Sequence, residues 1–136
     1  MNDKLNILKY IHIALATGLC LAYLFLGNLT QPEAWKLPQF EQNTVIYLAI
    51  PLVAMVLSNV VFKLQLKNIP PKQPLEEALP VYQTASIMRW AILEGGTFLI
   101  LFMAPEFILF GVLIILYFLI LHPSQGMIER DLNNNI

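Results

Sequence analysis

Four long apolar runs leave this chain few ways to fold. They cover about residues 10–26 (YIHIALATGLCLAYLFL), 44–62 (TVIYLAIPLVAMVLSNVVF), 82–104 and 107–121 (FILFGVLIILYFLIL). A bilayer core is about 30 Å thick, so a helix crossing it needs roughly 17–25 mostly apolar residues. The first three runs reach that length. The fourth is slightly short, which the bilayer can meet by thinning locally. Barrel strands would alternate polar and apolar residues, and these runs do not. Lipid leaves every backbone N–H and C=O to find a partner within its own segment, so the runs predict helices.

Composition agrees. Hydrophobic residues make up 57% of the 136 and charged residues 12%, against about 45–50% and 25% in a soluble domain. That excludes a disordered chain and argues against a soluble enzyme. The net charge of −1 supplies no basic field for nucleic acid. The single cysteine, Cys20, excludes an internal disulfide, and with His12 and His122 as the two histidines no His- or Cys-rich metal site can be assembled. There is no Ser/His/Asp grouping, no phosphate loop and no HExxH motif, so neither catalysis nor a cofactor is expected. The first run has no small-x-small cleavage site after it, so it reads as a span and not a cleaved signal. Leu19 stands where a lipidation site at Cys20 would want a small residue.

The expectation is therefore an all-α protein, a transmembrane four-helix bundle forming a single domain over residues 1–136. Lys4, Lys9, Lys63, Lys67, Lys72 and Arg130 fall on one side of these spans. Lys36 falls on the other, with Glu33, Glu41 and Glu106. Positive residues favour the cytoplasm, so both termini are expected inside, in a bacterial inner membrane. The cytoplasmic connection, residues 63–81, holds Pro70, Pro71, Pro74 and Pro80 and predicts an extended, stiff path, with at most one helical turn after Pro74. The outer connection offers Trp35 and Phe40 to the headgroup layer. Residues 11–18 also echo residues 88–95, with Ala and Gly at matching places. That suggests two helical hairpins repeated in parallel.

Glu94 is the residue most able to carry chemistry. It lies midway along the third run, where a charge costs at least about 2.5–3.5 kcal/mol on insertion scales, so such residues mark a pathway or a pairing. Arg89 precedes it by about 7.5 Å along the helix and about 140° around it, which is a poor intrahelical pairing geometry. Arg89 can also snorkel to the interface. Ser86, Arg89, Trp90, Glu94 and Thr97 share one broad sector. Ala91 and Gly95 form a small-xxx-small pair, as do Ala14 and Gly18 on the first run, and such pairs let helices pack closely. His12, Asn59 and Ser58 fall at similar depth and predict a polar cluster near the cytoplasmic mouth. Pro51 predicts a kink. The fourth span, polar only at Tyr117, is expected to face lipid.

The run Arg89-Trp-Ala-Ile-Leu-Glu94-Gly95, followed by a last span and then Ile128-Glu-Arg-Asp-Leu132, resembles small, uncharacterised four-helix bacterial membrane proteins. Doubled hairpins with one membrane glutamate also resemble rotary-ATPase proteolipid subunits. That likeness implies a proton- or sodium-binding role for Glu94 alone. The chain departs from that family in having 6 glycines and a bulky fourth span. In size it is similar to small multidrug exporters, which carry their glutamate in the first span, where this chain has Thr17. Two functions are left open. One is a proton-coupled transporter or ion-conducting subunit, with Glu94 as acid, Arg89 as modulator and Thr97 and Asn59 as hydrogen-bonding partners. The other is a non-catalytic accessory subunit, in which Glu94 and Arg89 lock helix packing. Either way the expected partners are the lipid bilayer and further copies or subunits of a membrane complex.

Overall fold

A computed structural model describes residues 2–35, 42, 45–70 and 73–135. Lys36, Phe40, Glu41, Thr44, Pro71 and Lys72, which entered the reading of the connections and of the second run, lie outside the described residues. The described residues form five α-helices: α1 (Asn2–Leu26), α2 (Ala49–Leu66), α3 (Leu75–Met103), α4 (Ile108–Ile120) and α5 (Gln125–Asn135). Short 3₁₀ turns at Pro32–Trp35, Val45–Leu48 and Pro105–Phe107 join them, and no strand occurs among the described residues.

Three stretches among the described residues are long and apolar enough to cross a membrane, Asp3–Leu26, Val45–Leu66 and Glu76–Met103. They mark the chain as a membrane protein. The fourth run behaves differently from the expectation of a simple span. Pro105–Ile120 meets the length test only together with Gln125–Leu132, and the two are bent by 93°. At 1.5 Å per residue, Pro105–Ile120 is about 24 Å long, short of the ~30 Å hydrocarbon layer. Nor does α4 face lipid all round. Ile108, Gly111, Ile114, Ile115 and Phe118 are buried, while Leu113, Leu116, Leu119 and Ile120 are exposed.

α1 ends where Gly27 N–H closes the last turn on Tyr23 O at 3.0 Å. A Cβ at Gly27 would stand 2.6 Å from that carbonyl, so glycine is required by the close approach. Asn28 follows in the left-handed region with φ 54°, a conformation asparagine tolerates and helix ends commonly use. Trp35 Nε1 donates to Leu29 O at 2.7 Å and pins the turn.

Pro51 stands third in α2, just after a 3₁₀ turn. In a first turn the backbone N–H lacks an intrahelical acceptor, so proline is at home there. The proline-rich connection is shorter than expected. α2 continues to Leu66, and α3 begins at Leu75 and runs through Pro80. Two causes outweigh the proline. Pro74 O accepts the N–H groups of Glu77 (3.0 Å) and Ala78 (3.1 Å) and starts the helix, with Glu76 and Glu77 suited to its positive end. Ala78, Leu79 and Tyr82 then bury themselves in one cluster with Leu66, Ile69, Ile128 and Leu132.

The last two of those residues belong to α5, a helix the apolar runs do not announce. Ser124 caps it, its hydroxyl accepting Met127 N–H at 3.2 Å. Tyr82 Oη donates to Asp131 Oδ2 at 2.8 Å, and Gln83 Nε2 donates to Lys4 O at 2.9 Å. The starts of α1 and α3 and the whole of α5 therefore meet at one end of the molecule.

Candidate functional site

A layer of polar side chains crosses the protein just inside that end. α1 brings His12, α2 brings Ser58 and Asn59, α3 brings Tyr82, Ser86, Arg89 and Trp90, α4 brings Tyr117, and the α4–α5 joint brings His122. His12, Ser58, Ser86, Arg89 and Trp90 are buried.

His12 is the hub. Its ring stacks on Phe118 at 4.7 Å and meets Trp90 edge-on at 4.9 Å. Its Nε2 lies 2.7 Å from Phe118 O, and its Nδ1 lies 3.0 Å from His122 Nδ1. A carbonyl can only accept, so His12 carries its proton on Nε2. His12 Nδ1 then accepts, and His122 donates Nδ1–H to it. The tautomer of each ring follows from this one chain of contacts.

Arg89 is 5% exposed. Its guanidinium carbon lies 3.7 Å from the centre of the Phe62 ring on α2, a cation–π contact of about 2 kcal/mol when desolvated. Asp131, the nearest carboxylate chemistry from α5, is held by Tyr82. Arg89 Nε, Ser86 Oγ and Trp90 Nε1 have no hydrogen-bond partner among the described residues. A buried polar group left so costs about 1–3 kcal/mol.

Of the cluster expected from sequence, His12 and Asn59 both bind α4, at neighbouring residues. Asn59 exchanges hydrogen bonds with Tyr117 Oη at 2.9 and 3.1 Å. Ser58 instead bonds within its own helix, to Met55 O at 3.0 Å. His122, Tyr117, Tyr82 and Asp131 were not singled out by sequence. Tyr117 and His122 were nonetheless visible as the polar group of the fourth run and the residue just past it. The signal for α5 was Pro123-Ser124 ahead of Ile128 and Leu132, a capped turn with apolar residues four apart.

Glu94 stands apart from this layer. It is half-buried, midway along α3. No side chain among the described residues donates to its carboxyl, and Arg89 is directed elsewhere. Thr97 Oγ1 is engaged with the backbone carbonyl of Glu94 at 2.7 Å. The Thr97 carbonyl accepts from Tyr23 Oη of α1. Ala91 and Gly95 lie exposed beside Glu94, and Ala14 and Gly18 lie exposed on α1. A Cβ added at Gly18 or Gly95 would meet nothing within 4 Å. Gly96 does sit at a helix contact, where a Cβ would stand 2.7 Å from Ala54 Cβ on α2, and Gly111 of α4 lies as closely against the Tyr23 ring of α1.

Comparison with known proteins returns no match. No family model, no curated protein and no solved structure is similar to this chain. Its function therefore rests on its own residues.

Proposed function

We propose that this chain is a small four-span membrane protein acting as a proton-coupled transporter or ion-conducting subunit, with Glu94 as the exchanging acid. In this reading α4 is the fourth crossing. It starts beside the end of α3 and finishes with His122 against His12, near the start of the apolar part of α1. Both termini then share a side with Lys4, Lys9, Lys63, Lys67 and Arg130, which is the cytoplasmic side of a bacterial inner membrane. The two hairpins α1–α2 and α3–α4 are repeated in parallel. In support, Ala14 and Gly18 hold the same open positions on α1 that Ala91 and Gly95 hold on α3.

One observation carries the functional reading. The Glu94 carboxyl sits at mid-span, partly open at the surface, with no side-chain donor among the described residues. A carboxylate there costs at least about 2.5–3.5 kcal/mol. The group keeps a proton until a cation, water or a polar neighbour reaches it, and that conditional ionisation is what a coupling site needs. The Thr97 hydroxyl and the Asn59 amide are bonded to other groups, so in this reading the exchange partner is a cation, water or a polar group of a neighbouring protomer. The small residues Ala91 and Gly95 open the adjoining face to a neighbouring helix. The same open face favours a second reading, an accessory subunit that docks there and uses Glu94 as glue.

Glu94→Gln in proteoliposomes separates the two. It should abolish proton-linked flux while leaving the oligomer intact. Absence of flux in the unmodified protein, with loss of assembly in Glu94→Gln, overturns the transport reading in favour of the accessory one.

A further inference from the structure

We infer that the flank between α1 and α4 is a binding site for one anionic phospholipid of the leaflet on the N-terminal side. A groove of about 340 Å³ runs there, walled by Ile13, Ala16, Thr17 and Cys20 of α1 and Leu119 of α4. The imidazoles of His12 and His122 line it too, and both belong to its N-terminal end. His12 and Cys20 are eight residues apart, so the groove is about 12 Å long. The groove is open along its side, so a lipid chain lying against α1 and α4 enters it directly from the bilayer.

The ends of the slot differ in chemistry. Towards the membrane centre it is apolar. At the other end stand the two imidazoles, and one helical turn beyond them is Lys9. Lys9, Ile13, Ala16 and Cys20 follow one another at intervals of three and four, so they form one stripe on α1. His122 is exposed, and Lys9 is half-buried. The arrangement matches a lipid: a chain along the slot and a phosphate between Lys9 and His122. His122 already directs Nδ1 at His12 Nδ1. Arg89 of α3 is close enough to act on His12, and Lys9 stands one turn before His12 on α1. Asp131 of α5, which also acts on Arg89, is tied to Tyr82, so the free charge at this end of the groove is the Lys9 ammonium. The site is separate from Glu94 and does not depend on its role.

Cys20, the single cysteine, lies in the slot and reports its occupancy. The rate of alkylation by N-ethylmaleimide is measured on the whole protein in micelles, with phosphatidylglycerol, phosphatidylcholine or inorganic phosphate added. Phosphatidylglycerol should slow the reaction about threefold at twice its dissociation constant, and phosphatidylcholine or phosphate should have little effect. Lys9→Gln should weaken the phosphatidylglycerol effect about fivefold, the weight of one basic residue at a membrane surface, with the lipid-free rate unchanged. Native mass spectrometry should retain one phosphatidylglycerol per protomer in the unmodified chain and lose it in Lys9→Gln. Equal protection by both lipids, protection by phosphate alone, or a Lys9→Gln protein that still prefers phosphatidylglycerol would each overturn the proposal.

Discussion

Adding one methyl group at Gly96 should destabilise the protein, and adding it one residue earlier should not. At Gly96 the new carbon would stand 2.7 Å from Ala54 Cβ. Carbon atoms attract best at about 3.5–4.0 Å, so α2 and α3 must separate by about 1 Å or distort. Overpacking of this kind costs about 1–3 kcal/mol. At Gly95 the same carbon meets nothing within 4 Å. Both substitutions gain the same helix propensity, about 0.8–1.0 kcal/mol for alanine over glycine, so that gain cancels in the comparison. The difference between Gly95→Ala and Gly96→Ala isolates the clash at about 1–3 kcal/mol. The assay is reversible unfolding in mixed micelles followed by circular dichroism, with Ala54→Gly added to Gly96→Ala as the relief variant. The double variant should recover most of the loss. Equal stability of the two single variants, or no recovery on adding Ala54→Gly, would refute the Gly96–Ala54 contact as the place where these helices meet.

Asn59→Leu and Tyr117→Phe should each weaken the α2–α4 contact, and a double-mutant cycle should return a coupling of about 0.6–2 kcal/mol, the range for hydrogen bonds between membrane helices. Arg89→Lys should cost about 1–2 kcal/mol in the same unfolding assay, because an ammonium loses the planar stacking that holds the guanidinium over Phe62; a lysine variant as stable as the parent would remove that role. Asn28→Gly should leave stability unchanged or raise it slightly, whereas Asn28→Ala should lower it by about 1 kcal/mol, since φ 54° penalises a side chain that cannot bond locally.

What sequence made legible is uneven, and the reasons are physical. Continuous apolar runs dictate helices wherever lipid denies the backbone other partners, so the helical class could be read directly. The limits of α3 could not. Four prolines between residues 70 and 80 argue for a break, yet Pro80 removes one donor from a helix that gains the burial of Ala78, Leu79 and Tyr82. That burial depends on Leu66, Ile128 and Leu132, residues distant in sequence. Whether Gly95 or Gly96 takes the contact with α2 is a matter of 100° of rotation, which spacing alone does not set. The pairing of His12 with His122 joins residues 110 apart and leaves no periodic trace. Glu94 was conspicuous because a carboxylate in hydrocarbon is costly wherever it points. That its carboxyl takes no bond from Arg89, Thr97 or Asn59 became visible only with each of those side chains in place.

α2 leans on its neighbours along a narrow edge. Of its most apolar stretch 17% is buried within the protein, against 44% for α3, and Leu52 and Val56 are 66% and 64% exposed. Lipid chains thus cover most of this helix, while its inner edge makes the most extensive helix–helix contact among the described residues, with α3. Detergents that cover the outer face poorly should loosen its slighter contact with α4 first, carrying Asn59 off Tyr117. The choice of solubilising agent would then decide whether a purified sample retains its architecture or has already begun to come apart along a single seam.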